Sequence, residues 1–185
     1  PTVRSLEEAL GIPANELAID DLATRQRAWG GDEIQYAPYL EEWFAQGSDG
    51  QVDFEVWHWA CQLLQARAMS IGCTWLRANR PRCEGALIWQ LNDVWTGHSW
   101  SLLDVKHRPK PAYYAVQSAF DPVLLGIEPV GEGLSLVVVN DSTEVCRGDV
   151  LVRRVDFKGR EIASEVFEVA AAPRRGRCEV KLPED

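Results

Sequence analysis

All eight tryptophans of this chain, Trp29, Trp43, Trp57, Trp59, Trp75, Trp89, Trp95 and Trp100, fall within its first hundred residues, and none follows. Two kinds of structure are therefore joined in 185 residues, a length that suits one ordinary domain or one and a half small ones. The seam is expected at Asp121-Pro122. The residue before a proline is biased out of the helical region, and beyond it the pattern turns from helical period to alternation. Residues 1–121 carry 10 Lys+Arg and 16 Asp+Glu, and 122–185 carry 9 and 12, so the net charges of −6 and −3 leave no charged tail.

Before the seam, Ser5 to Leu10 reads as a short helix with Ser5 as N-cap and Glu8 as its capping-box partner, stopped by Gly11 and Pro13. A second helix is expected over Ile34 to Phe44, after Gly30-Gly31-Asp32. The strongest helical pattern runs from Asp53, a suitable N-cap, to Ala78. Phe54, Trp57, Cys61, Leu64, Ala68, Ile71 and Trp75 recur there at three- and four-residue steps, and Pro81 follows the end. Trp57 and Trp59, two residues apart, cannot share one face, so one belongs to the core and the other packs sideways. Gly85-Ala-Leu-Ile-Trp-Gln-Leu91 is an unbroken apolar run between turn-like segments, the pattern of a strand buried on both faces. Pro111 opens a last helix through Phe120.

After the seam, Val123–Ile127, Leu134–Val139, Val150–Phe157, Glu161–Val169 and Cys178–Leu182 read as strands. Phe157-Lys-Gly-Arg160 is a hairpin signal in which Gly159 supplies a positive φ, and Asn140-Asp-Ser142 is another turn. This spacing favours a β-sandwich, with fewer strands than the seven of a complete immunoglobulin-type domain.

Composition excludes several functions. A net charge of −9 repels phosphate and argues against nucleic acid as a partner. The apolar stretches fall short of the roughly 20 residues that span a bilayer, and no export signal opens the chain. Cys61, Cys73, Cys83, Cys146 and Cys178 are odd in number and lack any Cys-x-x-Cys spacing, so they read as mostly buried free thiols rather than a disulfide framework or zinc site. With three His, His58 and His98 read as buried side chains, and neither a metal nor a cofactor is expected. Gly97-His-Ser-Trp-Ser101 approaches a nucleophile elbow, but its last position is Ser and no His follows His107 to complete a triad. Gly126, Gly131 and Gly133 read as hairpin glycines, and Arg174-Arg-Gly-Arg177 as a solvated loop.

Chemistry concentrates in Gly85–Trp95. Trp89 and Trp95 offer indole faces to sugar C–H surfaces, while Gln90, Asn92 and Asp93 offer amides and a carboxylate to hydroxyls, at the end of a strand where barrel enzymes carry their active sites. The same types also suit a core tryptophan followed by a turn.

These residues also carry a resemblance. Gly85-Ala-Leu-Ile-Trp-Gln-Leu-Asn-Asp-Val-Trp95, with Ser99-Trp-Ser101 and Arg108-Pro-Lys-Pro-Ala-Tyr-Tyr-Ala115, resembles the end of the catalytic barrel in β-mannosidases of glycoside hydrolase family 2. Gln65-Ala-Arg-Ala-Met, Trp75-Leu-Arg and Arg80-Pro-Arg-Cys-Glu-Gly extend it upstream, and Ala119-Phe-Asp-Pro-Val-Leu-Leu and Val138-Val-Asn-Asp extend it downstream.

The resemblance implies an α+β chain, with a C-terminal fragment of a (β/α)8 TIM barrel over 1–121 and a partial immunoglobulin-like β-sandwich over 122–185. It implies a β-mannoside or related oligosaccharide as ligand, with Trp89 as the floor of the subsite and a cis peptide bond at Trp89–Gln90. Retaining glycosidases need two carboxyl groups about 5–5.5 Å apart. Neither the family's Asn-Glu acid/base motif nor its Ser-Glu-(Phe/Tyr)-Gly nucleophile motif occurs here, so the chain is expected to hold no catalytic residue, the nucleophile motif falling just before Pro1. Asp93 and Asp104 are the carboxylates near the candidate site, and neither fits a catalytic motif. Near Asp21-Leu-Ala-Thr-Arg-Gln26 relatives often carry histidines where this chain has Ala23 and Thr24. The chain is then expected to associate with the missing N-terminal part of its enzyme or with itself through exposed barrel edges. A non-catalytic sugar-binding or structural module is the other function class these residues leave open.

Overall fold

The computed structural model describes residues 1–25, 39–40 and 53–183. The helix expected over 34–44 lies almost entirely outside the described residues, as do Trp29 and Trp43. The chain divides into two compact units, one of Pro1–Ser70 with Leu87–Gln117 and one of Ile71–Ala86 with Ser118–Asp185.

The first unit opens with α1 (Val3–Leu10). Thr2, not Ser5, is its N-cap, with Oγ1 accepting from the Ser5 N–H at 3.2 Å. The expected capping box does not form, because Ser5 is buried inside the helix and Glu8 pairs with Arg4 and Arg108. Gly11 ends the helix at φ 70°, a conformation glycine adopts without a Cβ penalty. Two 3-10 turns, Ala14–Glu16 and Ile19–Arg25, follow. Leu6, Leu17 and Leu22 meet Phe54 in a small core, with Trp57 packed on its edge.

Helix α2 (Phe54–Ala78) starts where the sequence places it: Asp53 Oδ1 accepts from the N–H groups of Glu55 (2.8 Å) and Val56 (3.3 Å). Its expected apolar stripe is covered only in part. Phe54 is buried, while Ala68, Ile71 and Trp75 are exposed, because periodicity identifies a face and burial requires a partner for it. Trp57 is half-buried, and Trp59 is exposed rather than packed sideways. Helix α3 (Pro111–Ala119) has its proline in the first turn as expected.

The strand expected over Gly85–Leu91 is not formed. Leu102 and Leu103 donate their N–H groups to the carbonyls of Gln90 and Leu91, but the segment belongs to no sheet, and Leu87, Trp89 and Leu91 are exposed. A doubly buried strand needs a neighbour on each side and a layer on each face, and the described residues supply neither.

The second unit holds all five expected strands, as β1 (Val123–Val130), β2 (Gly133–Asn140), β3 (Cys146–Val155), β4 (Glu161–Ala171) and β5 (Gly176–Lys181). They form an antiparallel sheet of order β1-β2-β5 and a separate hairpin sheet β3-β4. Strand β2 explains why an unbroken apolar run works here. Leu136 and Val138 join Val169 and Ala171 of β4 in the core between the sheets, while Val137 and Val139 face the other way onto Leu124 and Ala78 at the end of α2. Gly159 takes φ 79° in the β3-β4 turn, and Asp156 Oδ1 accepts the N–H groups of Lys158 and Arg160 there.

Asn140, expected in a simple turn, is instead fully buried. Its Nδ2 donates to the carbonyls of Glu144, Ala171 and Ala172, and its Oδ1 accepts from the N–H and hydroxyl of Ser142. Asp141 receives Arg77 Nη2 at 2.8 Å and Arg80 Nη2 at 2.6 Å. The expected Arg174–Arg177 loop is partly tied down, with Arg175 paired to Glu84 and Arg177 donating to the Ala78 carbonyl. None of the five cysteines is in a disulfide, and only Cys73 is buried, the others being half-buried rather than mostly buried as expected.

Candidate functional site

Residues 89–110 of the first unit are held by backbone hydrogen bonds rather than by regular structure. The N–H of Leu103 donates to the Leu91 carbonyl (2.8 Å), that of Asp93 to the Leu103 carbonyl (3.0 Å), and that of Lys110 to the Leu102 carbonyl (2.9 Å). Three short stretches are thereby laced together. The Trp89–Gln90 peptide bond is cis, as the resemblance implies.

The candidate residues separate into two groups. Trp89 is 75% exposed and Trp95 38% exposed, while Gln90 and Asn92 are half-buried. The Arg25 guanidinium lies 5.9 Å from the Trp95 ring centre, within cation–π range. The Asn92 amide donates to the carbonyl of Asp93.

Asp93, expected on a sugar hydroxyl, is instead turned inward. It is 2% exposed, with Oδ2 3.2 Å from Lys110 Nζ. Lys110, also 2% exposed, donates to Ser101 Oγ (2.8 Å) and Ser99 Oγ (3.1 Å), and the Ser101 hydroxyl donates to the Leu103 carbonyl (2.8 Å). The cationic partner was not anticipated from sequence. Its one signal was a lysine between two prolines, Pro109 and Pro111, too stiff a stretch to give a long side chain much freedom.

Asp104 is likewise internal. Ser5 Oγ donates to it at 2.5 Å, Thr2 Oγ1 at 3.4 Å, and the N–H groups of Lys106 and Arg108 at 2.8 and 3.0 Å. Burial pushes the carboxyl up, but the bonds from Ser5, Arg108 and Lys106 together outweigh it and bring its pKa to about 2. Asp104 is therefore an anion with every approach taken by a donor.

Behind the laced stretches lies a hollow of about 40 Å³ lined by Trp57, His58, Gln62, Gln65, His98 and Lys110 among others. It is roomy enough for waters and far too small for a sugar ring. His58 Nε2 lies 2.9 Å from the Pro1 carbonyl oxygen. Burial lowers the imidazoles of both His58 and His98, the latter to about 4. A wider hollow of about 410 Å³ is lined by Glu55, His58, Trp59, Gln62, Pro109 and Pro111 among others. Trp89, Gln90, Asn92 and Trp95 line neither hollow. Among the described residues no group of three His, Cys, Asp or Glu side chains is arranged to hold a metal ion, and no helix is long and apolar enough to cross a membrane.

Over 100 residues, 52% of the chain, the sequence is 40% identical to β-mannosidase B of Aspergillus niger. Over this half, the chain is related to β-mannosidases of the glycoside hydrolase family 2 type. Two solved structures agree on the fold. The exo-chitosanase CsxA of Amycolatopsis orientalis superposes with a TM-score of 0.71 at 19% identity over 99% of this chain. The β-D-mannosidase of Dictyoglomus thermophilum superposes with a TM-score of 0.68 at 22% identity over 97%. The match covers 11% of the fungal enzyme and 22% of each solved chain, so this mixed α+β chain spans only a small part of the length of the proteins it resembles. No family model matches the sequence.

Proposed function

We propose that residues 1–185 are the part of a retaining β-mannosidase that forms one wall of its sugar subsite, in an enzyme that removes terminal β-D-mannosyl residues. On this reading 1–121 is the last part of a (β/α)8 barrel and 122–185 the start of an immunoglobulin-like domain. The observation that carries it is the exposure of Trp89. An indole of that size, 75% open to solvent on a stretch laced down at Gln90 and Leu91, is a flat apolar platform of the kind that sugar rings stack on. Trp95 offers a second face, and Gln90 and Asn92 are the amides within reach of hydroxyls.

Neither nearby carboxylate is free to act as nucleophile or acid/base, since Asp93 is paired with Lys110 and Asp104 is enclosed by donors. Both catalytic carboxyl groups therefore come from elsewhere in the complete protein, and the rest of that enzyme is the chain's partner.

The test uses 4-nitrophenyl β-D-mannoside. The expected outcome is no turnover by residues 1–185 alone, turnover by the complete protein, and a loss of at least tenfold in kcat/KM on Trp89→Ala with unchanged melting temperature. Turnover by 1–185 that vanishes on Asp93→Ala would overturn the assignment of the chemistry elsewhere. Binding of mannosides without turnover by the complete protein would favour a non-catalytic sugar-binding module.

A further inference from the structure

We infer that Lys110 and Asp93 are positioning residues for the sugar-facing tryptophans: a buried ion pair that sets where Trp89 and Trp95 stand without touching the ligand. The name of the ligand rests on the proposed β-mannosidase function, while the juxtaposition does not. Asp93 lies between the two indoles in sequence, and its side chain is fully enclosed 3.2 Å from a lysine that is itself 2% exposed. Lys110 reaches the same stretch by a second route. It donates to Ser101, Ser101 donates to the Leu103 carbonyl, and the Leu103 N–H holds the Leu91 carbonyl, two residues after Trp89. The N–H of Asp93 closes the loop on Leu103. One ammonium thus fixes the segment from both sides, through the carboxylate and through the serine.

The chemistry explains why charges sit here at all. Taking two ions out of water is costly, and a well-packed apolar pair often serves stability as well or better. What an apolar pair lacks is direction. An ammonium hydrogen-bonded to Ser101 and Ser99 and set 3.2 Å from the Asp93 carboxylate defines one geometry, while an apolar filler would allow several. Removing one partner leaves the other charge buried without its counter-ion, so single substitutions should disturb the segment far more than removal of both.

The experiment is a double-mutant cycle in the complete protein with Asp93→Asn, Lys110→Met and the pair together. Kinetics on 4-nitrophenyl β-D-mannoside are measured well below the melting temperature of the weakest variant. In parallel, 5-fluorotryptophan is incorporated, and the Trp89, Trp95 and Trp75 resonances are assigned by single Trp→Phe replacements. Each single variant should raise KM at least tenfold with a smaller fall in kcat, and should shift or broaden the Trp89 and Trp95 signals while Trp75 stays put. The double variant should lose no more than the milder single. If Asp93 instead binds sugar directly, the two losses multiply, the double is worst and the fluorine signals stay in place, which would overturn the proposal. Where the wild type shows no turnover the mannosidase assignment fails, and the fluorine signals still decide the positioning role. Ser101→Ala, a milder change that keeps both charges, should give the same KM effect at a few-fold, covering the case in which a charge variant does not fold.

Discussion

Replacing Asp104 by Asn tests whether the first unit is held at its centre by one solvent-free anion. The carboxylate accepts from Ser5 and Thr2 at the start of α1 and from the N–H groups of Lys106 and Arg108, and so joins the helix to a turn in which His107 has φ 59°. Its pKa falls from 3.8 to about 2 in the folded chain, which corresponds to about 2 kcal/mol of stability at neutral pH. An amide in its place carries no charge and, with its oxygen kept on the Lys106 and Arg108 N–H groups, turns its NH2 to the Ser5 and Thr2 hydroxyls, which now donate to the carboxylate, so the loss should be about 2 kcal/mol, or roughly 4–8 °C in melting temperature for a chain of this size. The sign with pH follows from a depressed carboxylate. The contribution is complete above the unfolded value near 3.8, decays as pH falls toward 2, and is reduced to roughly 0.4 kcal/mol at pH 2. Circular dichroism melts of wild type and Asp104→Asn at pH 7, 4, 3 and 2 should show a gap that is widest at pH 7 and narrows below pH 4. No gap at pH 7, or an equal gap at pH 7 and pH 2, would refute the account.

Asn140→Ala should destabilise the second unit by about 1–3 kcal/mol in urea unfolding, since it strips donors from the carbonyls of Glu144, Ala171 and Ala172 and leaves that of Ala171 buried. Asp141→Ala removes the shared anion from Arg77 and Arg80, whose side chains are only 3% and 6% exposed, so its urea midpoint should fall clearly and Asp141→Glu should restore part of it. Burial raises the Asp141 carboxyl, but Arg80 and Arg77 outweigh it and hold it below the usual range, so this stabilisation is present at neutral pH and lost in acid. His98, lowered to about 4 by burial first of all, favours the folded state fully above pH 6.5 and progressively less as pH falls through 4. Its imidazole carbon resonances should stay those of the neutral ring at pH 6, and a titration midpoint near 6.5 in the folded protein would contradict its burial.

Local chemistry was legible wherever a residue's own backbone preference or a short spacing decides the outcome. Asp53 capping α2, Gly11 closing α1, Gly159 in its hairpin, Pro111 opening α3 and the five strands beyond Pro122 all follow from steric and hydrogen-bonding rules that act within a few residues, and the Trp89-to-Trp95 run carried the family resemblance. What needed the tertiary structure were the outcomes that depend on a distant partner. Ser5 looked like a cap and became a donor to Asp104, a residue 99 positions away. Asp93 looked like a ligand to sugar and became the counter-ion of Lys110, because a carboxylate's role is set by what faces it. Gly85–Leu91 looked like a doubly buried strand, yet the described residues give it no sheet to join. A strand is a property of its neighbours as much as of its side chains, and apolar sequence alone specifies the wish for burial without specifying what does the burying.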